Sequence, residues 1–214
     1  GLCFLLLLQP DFGGAVFLSG LLFLMCLVGG TRIIFLGSAI MLAVVSATLL
    51  VVNSPYRFRR VFSFLDPFQD AQNSGYQLVQ SLYGLGSGGW LGQGLGEGKQ
   101  KLFFLPEAHN DFIMSVVGEE LGFVGISLIV ILFGVVLWRI VMISIRQDSM
   151  HDRITAFGMG AILMIGGILN MGVVMGAIPP KGVPMPFLSY GGSHLVSGFF
   201  CAGVLLNLSR KAKA

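Results

Sequence analysis

The sequence predicts an all-α fold, a polytopic bundle of transmembrane helices, on three observations. Only 11% of its 214 residues are charged and 55% are hydrophobic, whereas soluble domains carry about 25% charged residues. Long apolar runs recur along the chain. Basic residues cluster at alternate ends of those runs.

The apolar runs cover Phe12–Val28, Ile33–Val52, 123–141, 154–178 and the shorter 195–208. A span needs roughly 20 mostly apolar residues to cross about 30 Å of hydrocarbon. Four runs meet that length. The fifth meets it if the small residues 189–193 lie at membrane depth, covered by protein. Residues 2–8 read as the tail of a further span. The chain opens at Gly1 with no initiator Met and no signal-peptide pattern, so it is expected to be a fragment lacking spans upstream. It is expected to form a single membrane domain over 1–214, with a large polar loop at 53–111. Cys3, Cys26 and Cys201 all lie in apolar runs, and their spacing fits neither a disulfide framework nor a metal site.

Charge in the short turns sets orientation. Arg32 lies between the first two runs. Arg139, Arg146 and Arg153 surround the turn between the third and fourth, and Arg210, Lys211 and Lys213 follow the last. These positions fall on one side, read as cytoplasmic. The loop 53–111 and the loop 177–194 are then expected outside.

The polar loop carries the chemistry-bearing residues. It opens with Tyr56-Arg57-Phe58-Arg59-Arg60, an interleaving of aromatic and basic residues that suits a membrane interface. Its guanidinium forks can hold phosphate or snorkel to lipid headgroups. Residues 76–85 are expected to form a short amphipathic helix that lies on or dips into the membrane surface, with Leu78, Leu82 and Leu85 on one face. The glycine-rich stretch 84–98 lacks the preceding strand and the Gly-Lys-Ser/Thr that a phosphate-binding loop needs, so compact irregular packing is expected there. Lys99 and Lys101 follow it.

The densest polar cluster is Leu105-Pro106-Glu107-Ala108-His109-Asn110-Asp111, where the loop re-enters apolar sequence. Pro106 suits the first turn of a helix. A helix starting there would bring Asp111, Ser115 and Gly122 near one face, with Glu119 close to it. Two readings of Asp111 stay open: a general base for a hydroxyl on a lipid-linked substrate, or an acidic residue favouring a helix N-terminus. Glu119 and Glu120 lie deeper and need a polar partner, such as a loop arginine, or a water-filled cavity. Asn170, mid-span, is expected to hydrogen-bond a neighbouring helix. The last outer loop, 178–193, contains four prolines after Ile178 and offers Lys181 to a phosphate.

These motifs together resemble the SEDS family, the FtsW, RodA and SpoVE membrane glycosyltransferases of bacterial cell-wall synthesis. The resemblance rests on Gln9-Pro10-Asp11-Phe12-Gly13, Tyr56-Arg57-Phe58-Arg59-Arg60, Gly75-Tyr76-Gln77-Leu78 and Gly92-Gln93-Gly94-Leu95-Gly96. It continues through Leu105-Pro106-Glu107-Ala108-His109, Asp111-Phe112-Ile113, Gly118-Glu119-Glu120-Leu121-Gly122 and the run 180–193. Lys181 before Gly182 is similar to the FtsW branch, where the other branches usually have Thr. Asn110, Gly14 and His194 depart from the usual Thr, Thr and Ser.

The resemblance implies ten spans with both ends cytoplasmic, of which this chain would hold the end of the fifth and spans six to ten. It implies an enzyme of the bacterial inner membrane that polymerises lipid II during division. Asp111 would be the catalytic base, taking the proton of the acceptor GlcNAc 4-hydroxyl. That oxygen would invert the donor MurNAc anomeric carbon as undecaprenyl pyrophosphate leaves. Candidate substrate-binding residues are Arg57, Arg59, Arg60, Lys99, Lys101, Lys181, Glu107, His109 and Ser189. No cofactor is expected; a divalent cation could bind pyrophosphate, but no motif supports one. Implied partners are a class B penicillin-binding protein, other division proteins and membrane lipid, not nucleic acid. The alternatives are a lipid II flippase and a non-catalytic scaffold of a division synthase.

Overall fold

The structure is a computed structural model that describes residues 12–52, 64, 66–69, 71, 75–100, 105–179 and 182–211. The described residues are all-helical: α1 (Phe12–Val28), α2 (Ile33–Val52), α3 (Tyr76–Gly88), α4 (Ile113–Ile145), α5 (Met150–Val174) and α6 (Gly192–Lys211). Helices α4, α5 and α6 are long and apolar enough to cross a membrane, and α1 and α2 are apolar over Gly13–Val28 and Ile33–Ser46.

Helix α5 is the centre of the bundle. It packs against α1, α3, α4 and α6, and 61% of its most apolar stretch is buried inside the protein, against 6% for α4. Its composition explains this. Gly160 and Gly167 leave room for the side chains of Ile140 and Phe133 from α4, and Gly158 faces Met25 of α1. Small residues let helices approach closely where lipid supplies no hydrophobic drive between them. Ile140, Ala156, Leu163, Met164, Cys201, Leu205 and Leu208 then form one apolar core joining α4, α5 and α6. The outer face of α4, including Phe123, Leu128, Ile131 and Trp138, is exposed, as a lipid-facing surface would be.

Helix α3 covers the short helix expected at 76–85 and runs on to Gly88. It packs into the bundle against α4 and α5. Ser81 donates its hydroxyl to Val174 O at 3.0 Å, and Ser115 of α4 donates to Ser81 O at 2.9 Å. At Gly88 the two backbones touch: a Cβ there would lie 1.9 Å from Gly118 O. The leucine face turns inward, with Leu78 2% exposed and Leu85 against the apolar core, and the glycines and serine set how closely the backbones approach.

Helix α4 differs from its expected course. Residues 105–112 form turns, and the helix starts at Ile113, not at Pro106. Glu107 is the reason. It adopts φ 56°, and its carbonyl collects the N–H groups of Asn110, Asp111 and Phe112. Ten residues on, the helix breaks at Gly122, at φ 66° and ψ −162°, a combination that is essentially reserved for glycine. Asp111, Ser115 and Gly122 therefore do not share one continuous helical face.

The loop after α3 fills the break. An unbroken helix would bond Phe123 N to Glu119 O and Val124 N to Glu120 O. Instead Gln93 N and Gly94 N donate to Glu119 O and Glu120 O at 2.9 and 3.1 Å. Phe123 N and Val124 N donate to Gly89 O and Trp90 O at 2.9 and 3.2 Å. These four groups, which the break would otherwise leave open, all find partners, so irregular backbone is tolerated beside apolar sequence.

Candidate functional site

Asp111 lies in the last turn before α4, half-buried. Three successive carbonyls at this point are held by segments far along the chain. His109 O accepts from Tyr190 N at 2.9 Å, Asn110 O from Ser189 Oγ at 2.5 Å, and Asp111 O from Asn170 Nδ2 at 2.7 Å. The same Asn170 Nδ2 donates to Val183 O at 2.9 Å. Ser189 Oγ also accepts from Met185 N at 2.7 Å. Beneath these bonds, Ala108, Phe112, Val173, Val174 and Met185 form a buried apolar core. The proline-rich loop thus docks on the Asp111 turn through both apolar packing and backbone hydrogen bonds.

The carboxyl of Asp111 faces Gly182. A Cβ at position 182 would sit 3.2 Å from Asp111 Oδ2, a tight contact that the carboxylate would have to yield to. Burial pushes the Asp111 pKa above the usual carboxylate range, and the charge of Glu107 raises it further, while His194 opposes both. A half-desolvated carboxylate of raised pKa is a stronger base than an exposed one.

The other predicted residues divide into three groups. Glu107 and His109 are exposed in the Asp111 turn, and Glu107 Oε2 accepts from Asn110 Nδ2 at 2.6 Å. Ser189 reaches the same turn, but its hydroxyl is engaged with backbone on both sides. Lys99 is exposed at the end of the glycine-rich loop. Arg57, Arg59, Arg60, Lys101 and Lys181 lie outside the described residues, as do the 9–11 and 56–60 motifs and Lys213.

Glu119 has a role that its sequence position did not disclose. Its carboxylate, 2% exposed, accepts Lys99 N on Oε1 and Gln100 N on Oε2, each at 3.0 Å. The partners are thus loop amides. Gly98 packs against the same carboxylate: a Cβ there would lie 2.9 Å from Glu119 Oε2. Asn170 also differs from its expectation. It bonds the carbonyls of a turn and a loop rather than a neighbouring helix. The available signal was a lone amide within an apolar run, close in sequence to a proline-rich loop whose carbonyls no helix satisfies.

The bundle and this turn define a multi-pass helical membrane protein with a half-buried carboxylate at the entrance of α4. The chain matches the cell cycle protein family of FtsW, RodA and SpoVE over residues 2–214, and it belongs to that family. It is 47% identical over 209 residues to a protein of Trichlorobacter lovleyi named "Probable peptidoglycan glycosyltransferase FtsW", covering 98% of this chain and 55% of that protein. It is 45% identical to the protein of that name from Geobacter metallireducens, covering 98% of this chain and 56% of the other. Stage V sporulation protein E of Bacillus subtilis is 42% identical over 212 residues, covering 98% and 57%. The chain therefore spans about half the length of these relatives. Among solved structures, a chain from a peptidoglycan synthase complex that coordinates polymerization and crosslinking aligns with a TM-score of 0.78 at 29% identity, covering 98% of this chain and 59% of that one.

Proposed function

We propose that this chain supplies the catalytic base of a membrane glycosyltransferase that polymerises lipid II into glycan strands during cell division. The observation that carries the reading is Asp111: a half-buried carboxylate of raised pKa, held at a helix entrance by bonds to three consecutive carbonyls. Relatives named peptidoglycan glycosyltransferase FtsW support the reaction class. Asp111 takes the proton of the acceptor 4-hydroxyl, and the oxygen attacks the donor anomeric carbon with inversion. The C1–O bond to undecaprenyl pyrophosphate breaks, and its electron pair leaves with the pyrophosphate. Lys99, with Arg57, Arg59, Arg60, Lys101 and Lys181, is the candidate counter-charge for that leaving group. Glu107, His109 and Ser189 border the base. The 53–111 and 177–194 loops face outside and the basic turns face the cytoplasm. A class B penicillin-binding protein is the partner, consistent with the synthase complex to which the fold is similar.

The competing reading, lipid transport, rests on the Gly/Pro-broken loop 178–193 and on Glu119 and Glu120 at membrane depth. With both Glu119 oxygens engaged by loop amides, that residue offers it little support. The test is Asp111→Ala and Asp111→Asn in the full-length protein with its partner, assayed for polymer from lipid II. Both variants should lose polymerisation while the complex stays intact. Polymerisation at the parent rate would overturn the assignment.

A further inference from the structure

We propose that Asn170 is a positioning residue for Asp111, joining the base and the proline-rich loop into one rigid unit. The inference rests on the reading of Asp111 as the base.

Asn170 sits on α5, the most enclosed helix, and is 1% exposed. Its amide nitrogen has two protons and uses both. One goes to Asp111 O at 2.7 Å, the other to Val183 O at 2.9 Å. Val183 follows Gly182, where a Cβ would lie 3.2 Å from Asp111 Oδ2. A single side chain thus sets two distances at once: the height of the Asp111 peptide over α5, and the approach of the 182–183 backbone to the carboxylate.

The neighbouring bonds fix the rest of the turn but not this relation. Tyr190 N and Ser189 Oγ hold His109 O and Asn110 O. The N–H groups of Asn110, Asp111 and Phe112 converge on Glu107 O. Asp111 O lies just ahead of the Phe112 cap of the helix, and the donor that reaches it comes from Asn170. Without that amide the Asp111 peptide is free to tilt, and the carboxylate swings away from the Gly182 wall toward solvent. A buried amide also suits the task chemically. A donor pair holds two carbonyls without adding charge beside a carboxylate whose pKa is already raised by burial.

The test uses the full-length protein with its partner, with kcat and KM measured on lipid II across pH. Displacing a catalytic group by about 1 Å costs as much as roughly 100-fold in rate. Asn170→Ala should lower kcat at least tenfold and leave KM within about threefold of the parent. The acid limb of its kcat profile should move to lower pH, because burial is the main cause that raises the Asp111 pKa. Asn170→Ser, with one donor, should fall between Ala and the parent. It also serves if Asn170→Ala does not assemble with the partner. Parent kcat in either variant overturns the inference, as does a loss wholly in KM or an unmoved acid limb. Asp111→Asn is run beside them. If it keeps polymerising, the reading of the base fails and this inference with it. If it is inactive while Asn170→Ala is unaffected, only the positioning role fails.

Discussion

The substitution Glu119→Gln tests whether this acidic residue acts as a clamp. The Glu119 carboxylate is 2% exposed and presents one oxygen to each of two amides, Lys99 N and Gln100 N, at 3.0 Å. Glutamine keeps one acceptor and turns an NH₂ toward the other amide. One charge-assisted bond is lost, worth about 1.5–3 kcal/mol. At 1.36 kcal/mol per tenfold, local opening of the loop should become roughly 10- to 100-fold more frequent. Amide hydrogen exchange on the full-length protein reads this directly. Lys99 and Gln100 should exchange faster by that factor, while amides in the core of α5 stay protected. Glu119→Ala removes both acceptors, leaves two buried donors unpaired and should exceed Glu119→Gln. Unchanged exchange at both amides in Glu119→Gln would refute the clamp. An unmoved pH–rate profile is expected too, since Glu119 transfers no proton in the proposed mechanism.

Further predictions concern the base and the helix break. Asp111 must be ionised to accept a proton, so activity should rise with pH through its raised pKa. Glu107→Gln removes a charge that raises that pKa, so the acid limb should move to lower pH. His194→Ser removes a charge that lowers it, so the limb should move up. Both shifts should shrink at high salt, because Glu107 and His194 are exposed; a shift of opposite sign would contradict the electrostatic account. Gly122→Ala forces a β-carbon into the φ 66° break, 2.3 Å from Gly92 N. Backbone strain alone costs about 1–3 kcal/mol, and the clash adds to it, so thermal unfolding in detergent should fall by several degrees; an unchanged midpoint would contradict the close approach.

Much of the fold was legible because the membrane enforces it locally. An apolar run such as Ile33–Val52 must be helical in lipid, since each backbone group needs a partner and only its own helix supplies one. The proline-rich loop was legible for the converse reason, because proline donates no amide hydrogen bond. The family was readable from short motifs kept in order across the chain. Asp111 was legible as a polar group where loop meets span.

Other features depended on partners distant in sequence. Local spacing favoured a helix from Pro106, but Glu107 at positive φ gathers three amides and delays it to Ile113. Nothing local marks Gly122 as a break; the break stands because the 89–94 backbone supplies and accepts the missing bonds. The leucines of α3 marked its apolar face, but which helices that face meets, and how closely Ser81, Gly84 and Gly88 let them approach, is set by α4 and α5. Glu119 and Asn170 are each buried and polar, and burial requires a partner without saying which. By itself the sequence determined which segments are helical and where an ionisable group meets them. Tertiary structure alone decided that Glu119 holds a loop and that Asn170 reaches the backbone of Asp111, because those bonds join groups roughly 20 and 59 residues apart.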